Sequence, residues 1–139
     1  KRTRLVCVTH ASNILGGITP VREIADMVHA GGARLCVDGV AYAPHRAIDV
    51  QALDADYYLF SFYKTYGPHQ GIMVIRRGIG AALPNQGHHF NGETLHKRFT
   101  PAGPDHAQVA ACAGMADYAD ALFSHHFGDG RGQRERAAA

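Results

Sequence analysis

Short apolar runs punctuate the first half of the chain, and the polar residues between them fall where turns and helix ends belong. Leu5-Val6-Cys7-Val8 is continuous and partly β-branched, the pattern of a strand buried on both faces of a parallel sheet. Thr9 to Asn13 and a Gly16-Gly17 turn end it. Val21, Ile24, Ala25 and Val28 then recur at helical spacing and predict one apolar helix face. Thr19 stands where an N-cap belongs, Pro20 at the first helical position, and Gly31-Gly32 as the stop. A second strand, Arg34-Leu35-Cys36-Val37, runs into Asp38-Gly39. Together these segments make a β-α-β unit with a right-handed crossover.

After a loop with Pro44 and a short Val50 to Leu53 segment, Tyr57-Tyr58-Leu59-Phe60 reads as a third strand, and Ile72-Met73-Val74-Ile75 as a fourth. The gap between them is too short for a helical crossover, so the fourth strand should run antiparallel to the third. Residues 77–104 hold five glycines and three prolines and predict an extended loop. A helix is expected over 105–123, with Asp105 near its cap and Val109, Ala113, Ala116 and Phe123 facing inward. No internal repeat is visible. The pattern as a whole predicts an α/β fold: a mostly parallel sheet with flanking helices and one antiparallel strand.

Composition narrows the class without naming a function. In 139 residues, 46% hydrophobic and 19% charged side chains are a globular balance that argues against disorder. A formal charge of +2 points to neither nucleic acid nor membrane as partner, and no apolar run is long enough to span a bilayer. Cys7, Cys36 and Cys112 are odd in number and widely spaced, which fits a reducing cytoplasm, and each reads as a small core residue. The first residue is Lys, and the chain ends in a Gly- and Arg-rich stretch and three alanines, so a piece of something larger is the simpler account. Residues 125–139 read as a polar tail, truncated or disordered.

Ligands of open α/β sheets gather beyond the carboxyl ends of the strands. Ser12 and Asn13, then Asp38, then Ser61, Tyr63 and Lys64 stand at those three ends. An amine and a carboxylate there have a joint use. A partly desolvated lysine forms a Schiff base with an aldehyde, and pyridoxal phosphate (PLP) is such an aldehyde. A carboxylate beside its ring nitrogen keeps that nitrogen protonated, which makes the ring an electron sink. Asp38 and Lys64 suit opposite ends of one such ring, with Asn13 donating to its ring oxygen and Ser61 and Tyr63 holding its phosphate. Position alone equally allows Asp38-Gly39 as a plain turn, Lys64 as a solvated loop residue, and Ser12 and Asn13 as partners of nearby backbone.

A resemblance adds to this. Thr9-His10-Ala11-Ser12-Asn13-Ile14-Leu15-Gly16, Pro20-Val21-Arg22-Glu23-Ile24-Ala25, Val37-Asp38-Gly39-Val40-Ala41, and Asp56 through Pro68 with its Ser61-Phe62-Tyr63-Lys64, resemble the cofactor-binding core of class V aminotransferases. The cysteine desulfurase-like branch is the most similar, and the likeness runs from about residue 3 to residue 124. It implies that residues 1–124 are part of the large PLP-binding domain of a fold like that of aspartate aminotransferase. It implies Lys64 as the Schiff-base lysine, Asp38 as partner of the pyridine nitrogen, Asn13 as donor to the ring hydroxyl, and Ser61 and Tyr63 as phosphate ligands. It further implies an amino acid as substrate and a homodimer for the full-length protein. Three positions depart from the well-known desulfurases: Ala41 stands in place of a Gln, Tyr63 in place of a His, and Gly103 near where a Thr often lies. In the family, the substrate-carboxylate Arg and the persulfide Cys come after residue 139. Transamination and desulfuration therefore both stay open, as does a binding-only or inactive fragment.

Ten histidines raise the question of a metal. The pairs His88-His89 and His125-His126 are adjacent and lack acidic or Cys partners at ligand spacing, so no metal site is expected. A nucleotide-binding domain is disfavoured because neither G-x-G-x-x-G nor a P-loop occurs.

Overall fold

The structure is a computed structural model that describes residues 2–100 and 102–128. A four-stranded sheet in the order β1-β2-β3-β4 organises it, with β1 Leu5–Thr9, β2 Arg34–Asp38, β3 Tyr57–Ser61 and β4 Gly71–Ile75. β1, β2 and β3 are parallel, and β4 is antiparallel to β3, as the short β3–β4 gap requires. The register places Thr9 beside Asp38 and Asp38 beside Leu59, so three carboxyl ends share one rim of the sheet.

Helix α1, Val21–Ala30, is the crossover between β1 and β2. Val21 and Ala25 are buried, and Ile24 and Val28 pack against the same core as Leu35, Val37 and Tyr58. Gly32, at φ +73, takes the left-handed conformation that turns the chain out of the helix. The start differs from expectation by one residue. Pro20 is itself the N-cap, no side chain caps the helix, and Thr19 contributes only its carbonyl, which accepts from Val21 N–H.

Strand β1 is not buried on both faces. Leu5 is 50% exposed and Cys7 is exposed, while Val6 and Val8 pack against the core. Its continuous apolar sequence mimics a central strand, but β1 is an edge of the described sheet. Cys7 is therefore not a core residue, whereas Cys36 and Cys112 are half-buried.

The 77–104 region is less irregular than its glycines suggest: Arg77–Ala82 form a short helix, α2, which buries Ile79. Helix α3, His106–Phe127, starts at Asp105, whose carboxylate accepts from Gln108 N–H. Of its four expected inward positions only Phe123 is buried. Val109 is 51% exposed and Ala113 and Ala116 are exposed, while Gln108, Cys112 and Met115 are half-buried. The apolar residues of α3 lie all around it, so the sequence offered no single face to choose. α3 also runs three residues into the expected polar tail, and residues 129–139 lie outside the described ones. Among the described residues no helix is long and apolar enough to cross a membrane.

Candidate functional site

Beyond the carboxyl ends of the parallel strands lies a cleft of about 630 Å³, within the range of small-molecule sites. Asn13, Ile14, Tyr42, His45, Arg46 and Lys64 are among the residues that line it. None of its lining residues is acidic. The β1–α1 connection supplies one wall, pinned by Ser12, whose hydroxyl accepts from Ile14 and Leu15 N–H at 3.3 and 3.1 Å. Ser12 thus satisfies backbone, which leaves Asn13 as the exposed polar residue of that wall.

Asp38 ends β2 on the same rim but does not line the cleft itself. One of its carboxylate oxygens accepts from Val40 N–H at 2.9 Å, an Asx-type contact that fixes the side chain's direction. Its charge is felt in the packing behind the cleft: after burial and Tyr42, Asp38 contributes to pushing the Tyr58 phenol well above its ordinary pKa.

Lys64 sits in a single 3-10 turn, Phe62–Thr65, directly after β3. The turn is closed by Gly67 N–H donating to Phe62 C=O and by Phe62 N–H donating to Gln70 C=O, each at 2.8 Å. Tyr66 leaves it at φ +65, a left-handed conformation unusual for a bulky side chain. Thr65 Oγ1 donates to Phe62 C=O at 2.9 Å. Lys64 is exposed and enters the cleft from this anchored turn. Ser61 is half-buried at the end of β3, and Tyr63 is stacked on His69 with ring centroids 5.0 Å apart. Neither lines the cleft, so the structure brings Asn13 and Lys64 into one cavity and leaves Asp38, Ser61 and Tyr63 on or beside its rim.

Sequence reasoning passed over His10, Tyr42 and Tyr58, which form the packing beneath the cleft. His10 and Tyr58 are 3% and 1% exposed, and Nδ1 lies 2.7 Å from Oη. The His10 ring stacks on Tyr42 with centroids 3.6 Å apart and planes 12° apart. The signal that could have found them is positional: His10 immediately follows β1, and Tyr58 occupies an inward position of β3. Gly39 is explained by the same packing. A Cβ there would stand 2.3 Å from the Tyr58 ring and hydroxyl, so no other residue fits.

The donor set suits PLP. An amine and an amide share a cleft of suitable size, a carboxylate stands on the adjoining strand end, and hydroxyls lie at the next.

The chain has recognisable relatives among known proteins. The family described as aminotransferase class-V matches residues 1–100. The aminotransferase-like protein FGM3 of Gibberella zeae is 57% identical over 91 residues, which cover 65% of this chain and 23% of that protein. The cysteine desulfurase-like protein ustD of Aspergillus flavus is 40% identical over 120 residues, or 84% of this chain and 27% of that one. The chain thus spans about a quarter of the length of these curated relatives. Among solved structures, the cysteine desulfurase CsdA of Escherichia coli superposes with a TM-score of 0.76 at 27% identity, covering 84% of this chain and 32% of that one.

Proposed function

Because this chain belongs to the aminotransferase class-V family, we propose that it is the lysine-bearing part of a PLP-dependent enzyme acting on an amino acid, by transamination or desulfuration. The observation that carries this reading is the shared rim of three adjacent parallel strands, with Asn13 and Lys64 in one cleft and Asp38 beside it. When bound, PLP supplies an electron sink for reaction at the amino acid's α-carbon or side chain.

In this reading Lys64 is the residue whose amine would hold the cofactor. Its pinned turn fixes where the amine emerges. Asp38, its direction set by Val40 N–H, would keep the cofactor's ring nitrogen protonated. Asn13 would donate to the ring oxygen, and Ser61 and Tyr63 would hold the phosphate. Residues 1–124 are the portion of the large domain that presents these groups. The full-length protein is proposed as a homodimer, and the three free cysteines among the described residues of this chain favour the cytoplasm.

Reduction with borohydride in the presence of PLP tests the assignment. Peptide mass spectrometry should find the pyridoxyl group on Lys64, and Lys64→Ala should abolish it. Labelling that persists elsewhere at equal yield in the variant overturns Lys64's role.

The absence of Asp38 from the cleft's lining favours a second reading, a binding-only chain. Cofactor trapped on Lys64 with no consumption of any amino acid would decide for it.

A further inference from the structure

His10 and Tyr58 are separated by 48 residues, yet they pair in buried packing that adjoins the cleft through Tyr42. Either polar group buried alone would be costly, and together they are satisfied. Burial lowers the His10 pKa and raises that of Tyr58, so both are neutral near pH 7. Main-chain bonds repeat the linkage. His10 N–H donates to Asp38 C=O at 2.8 Å, Gly39 N–H to Leu59 C=O at 2.8 Å, and Tyr42 N–H to Gly39 C=O at 2.9 Å. With Gly39 pressed on the Tyr58 ring, the Asp38-to-Tyr42 turn has little room to shift.

Tyr42 is where this packing meets the cleft. One face of its ring lies on His10, and the residue lines the same cavity as Asn13 and Lys64. An aromatic wall of this kind favours a flat ring at stacking distance. Because its orientation is set before binding, little side-chain freedom is lost when the ligand arrives. Apolar residues would fill the space beneath the turn equally well. A desolvated polar pair, placed under a cleft-lining ring, fixes orientation as well as volume.

We infer that His10 and Tyr58 are positioning residues that fix the Tyr42 ring as a wall of the cleft, and that Tyr42 is a further binding residue for the ligand's flat heteroaromatic ring. This rests on the reading of the cleft as a PLP site.

The test uses PLP and the 139-residue chain, with two readouts. The first is the NMR shift of the Tyr42 ring protons without ligand, which reports the ring current of His10. The second is the PLP dissociation constant, measured by visible absorbance and circular dichroism. Tyr58→Phe keeps the ring and deletes the hydroxyl. It should move the Tyr42 signals and weaken PLP binding about three- to tenfold, with its visible circular dichroism reduced. Tyr42→Phe should bind within about twofold of the unsubstituted chain, while Tyr42→Ala and Tyr42→Leu should each lose about tenfold or more. A thermal melt of each variant establishes that it is folded, and the leucine variant preserves bulk without a ring.

If the folded Tyr42→Leu and Tyr58→Phe chains bind PLP within about twofold of the original, while borohydride still traps the cofactor on Lys64, this inference is overturned and the functional reading stands. If the unsubstituted chain is never labelled at Lys64, the functional reading fails, and the role given to Tyr42 fails with it.

Discussion

At the foot of β2 and β3 the chain gathers charge and neutralises it internally, whereas at the tips of the same strands it leaves charge open. At the foot, Asp56 is 1% exposed, and one carboxylate oxygen accepts from Leu35 N–H and pairs with His29 Nε2, each at 2.8 Å. Arg34 and Arg76 approach the other oxygen at 3.7 and 3.5 Å. Asp54 joins the group through Arg22, His29 and Arg76, and the Arg76 hydrogen bond holds its carboxyl below the usual range. At the tips, Asp38, Arg46 and Lys64 enter no ion pair among the described residues. A carboxylate enclosed by its own fold ties α1, β2, β3 and β4 together. An amine and an acid left unpaired beside a cleft are available to something else. Residue type did not distinguish the two ends; enclosure did.

Substitutions should separate the ends cleanly. Asp56→Ala is expected to have the largest effect on stability, about 2–4 kcal/mol, because it strands the buried Leu35 N–H and removes the centre of the ion cluster. A chemical denaturation curve would measure it, and a loss under about 1 kcal/mol would mean the foot is no more enclosed than the tips.

Acid titration should act on both ends, in different windows. Burial depresses the folded pKa of His10, so its share of stability is present above the unfolded value of 6.5 and declines as pH falls below it. The slope is at most about 1.4 kcal/mol per pH unit. Asp54, also depressed, contributes stability that is present above 3.8 and lost as pH falls through its lower folded value. Denaturation midpoints between pH 7 and pH 5 should fall in the unsubstituted chain and stay flatter in His10→Phe.

The smallest effect on stability is expected from Lys64→Ala, within about 0.5 kcal/mol, since its side chain is exposed and unpaired. The same substitution is the one expected to abolish cofactor trapping. A large loss of stability there would erase the contrast between the two ends.

Much of this arrangement was legible in the sequence because it is local. The Val21, Ile24, Ala25, Val28 spacing marked α1, Gly31-Gly32 marked its end, and the short gap after Lys64 forced β4 to run antiparallel. Those features need only neighbours along the chain. The foot cluster was not legible, since Asp54 and Asp56 look like ordinary loop residues until His29, Arg34 and Arg76 are folded around them. The His10–Tyr58 pair carries no periodicity and became visible only when strands β1 and β3 were placed on either side of β2. The exposure of β1 and the inward face of α3 were misread for a related reason: apolar sequence reports what can be buried, not what is.

The turn that carries Lys64 has one more consequence. Its backbone is tied at Phe62, Gly67 and Gln70, so the loop has no slack to lend. If Lys64 tethers a cofactor as proposed, travel of the amine would come mainly from rotation about the side chain's own methylene bonds, so the length of that side chain, more than the suppleness of the loop, would set how far a tethered molecule can tilt.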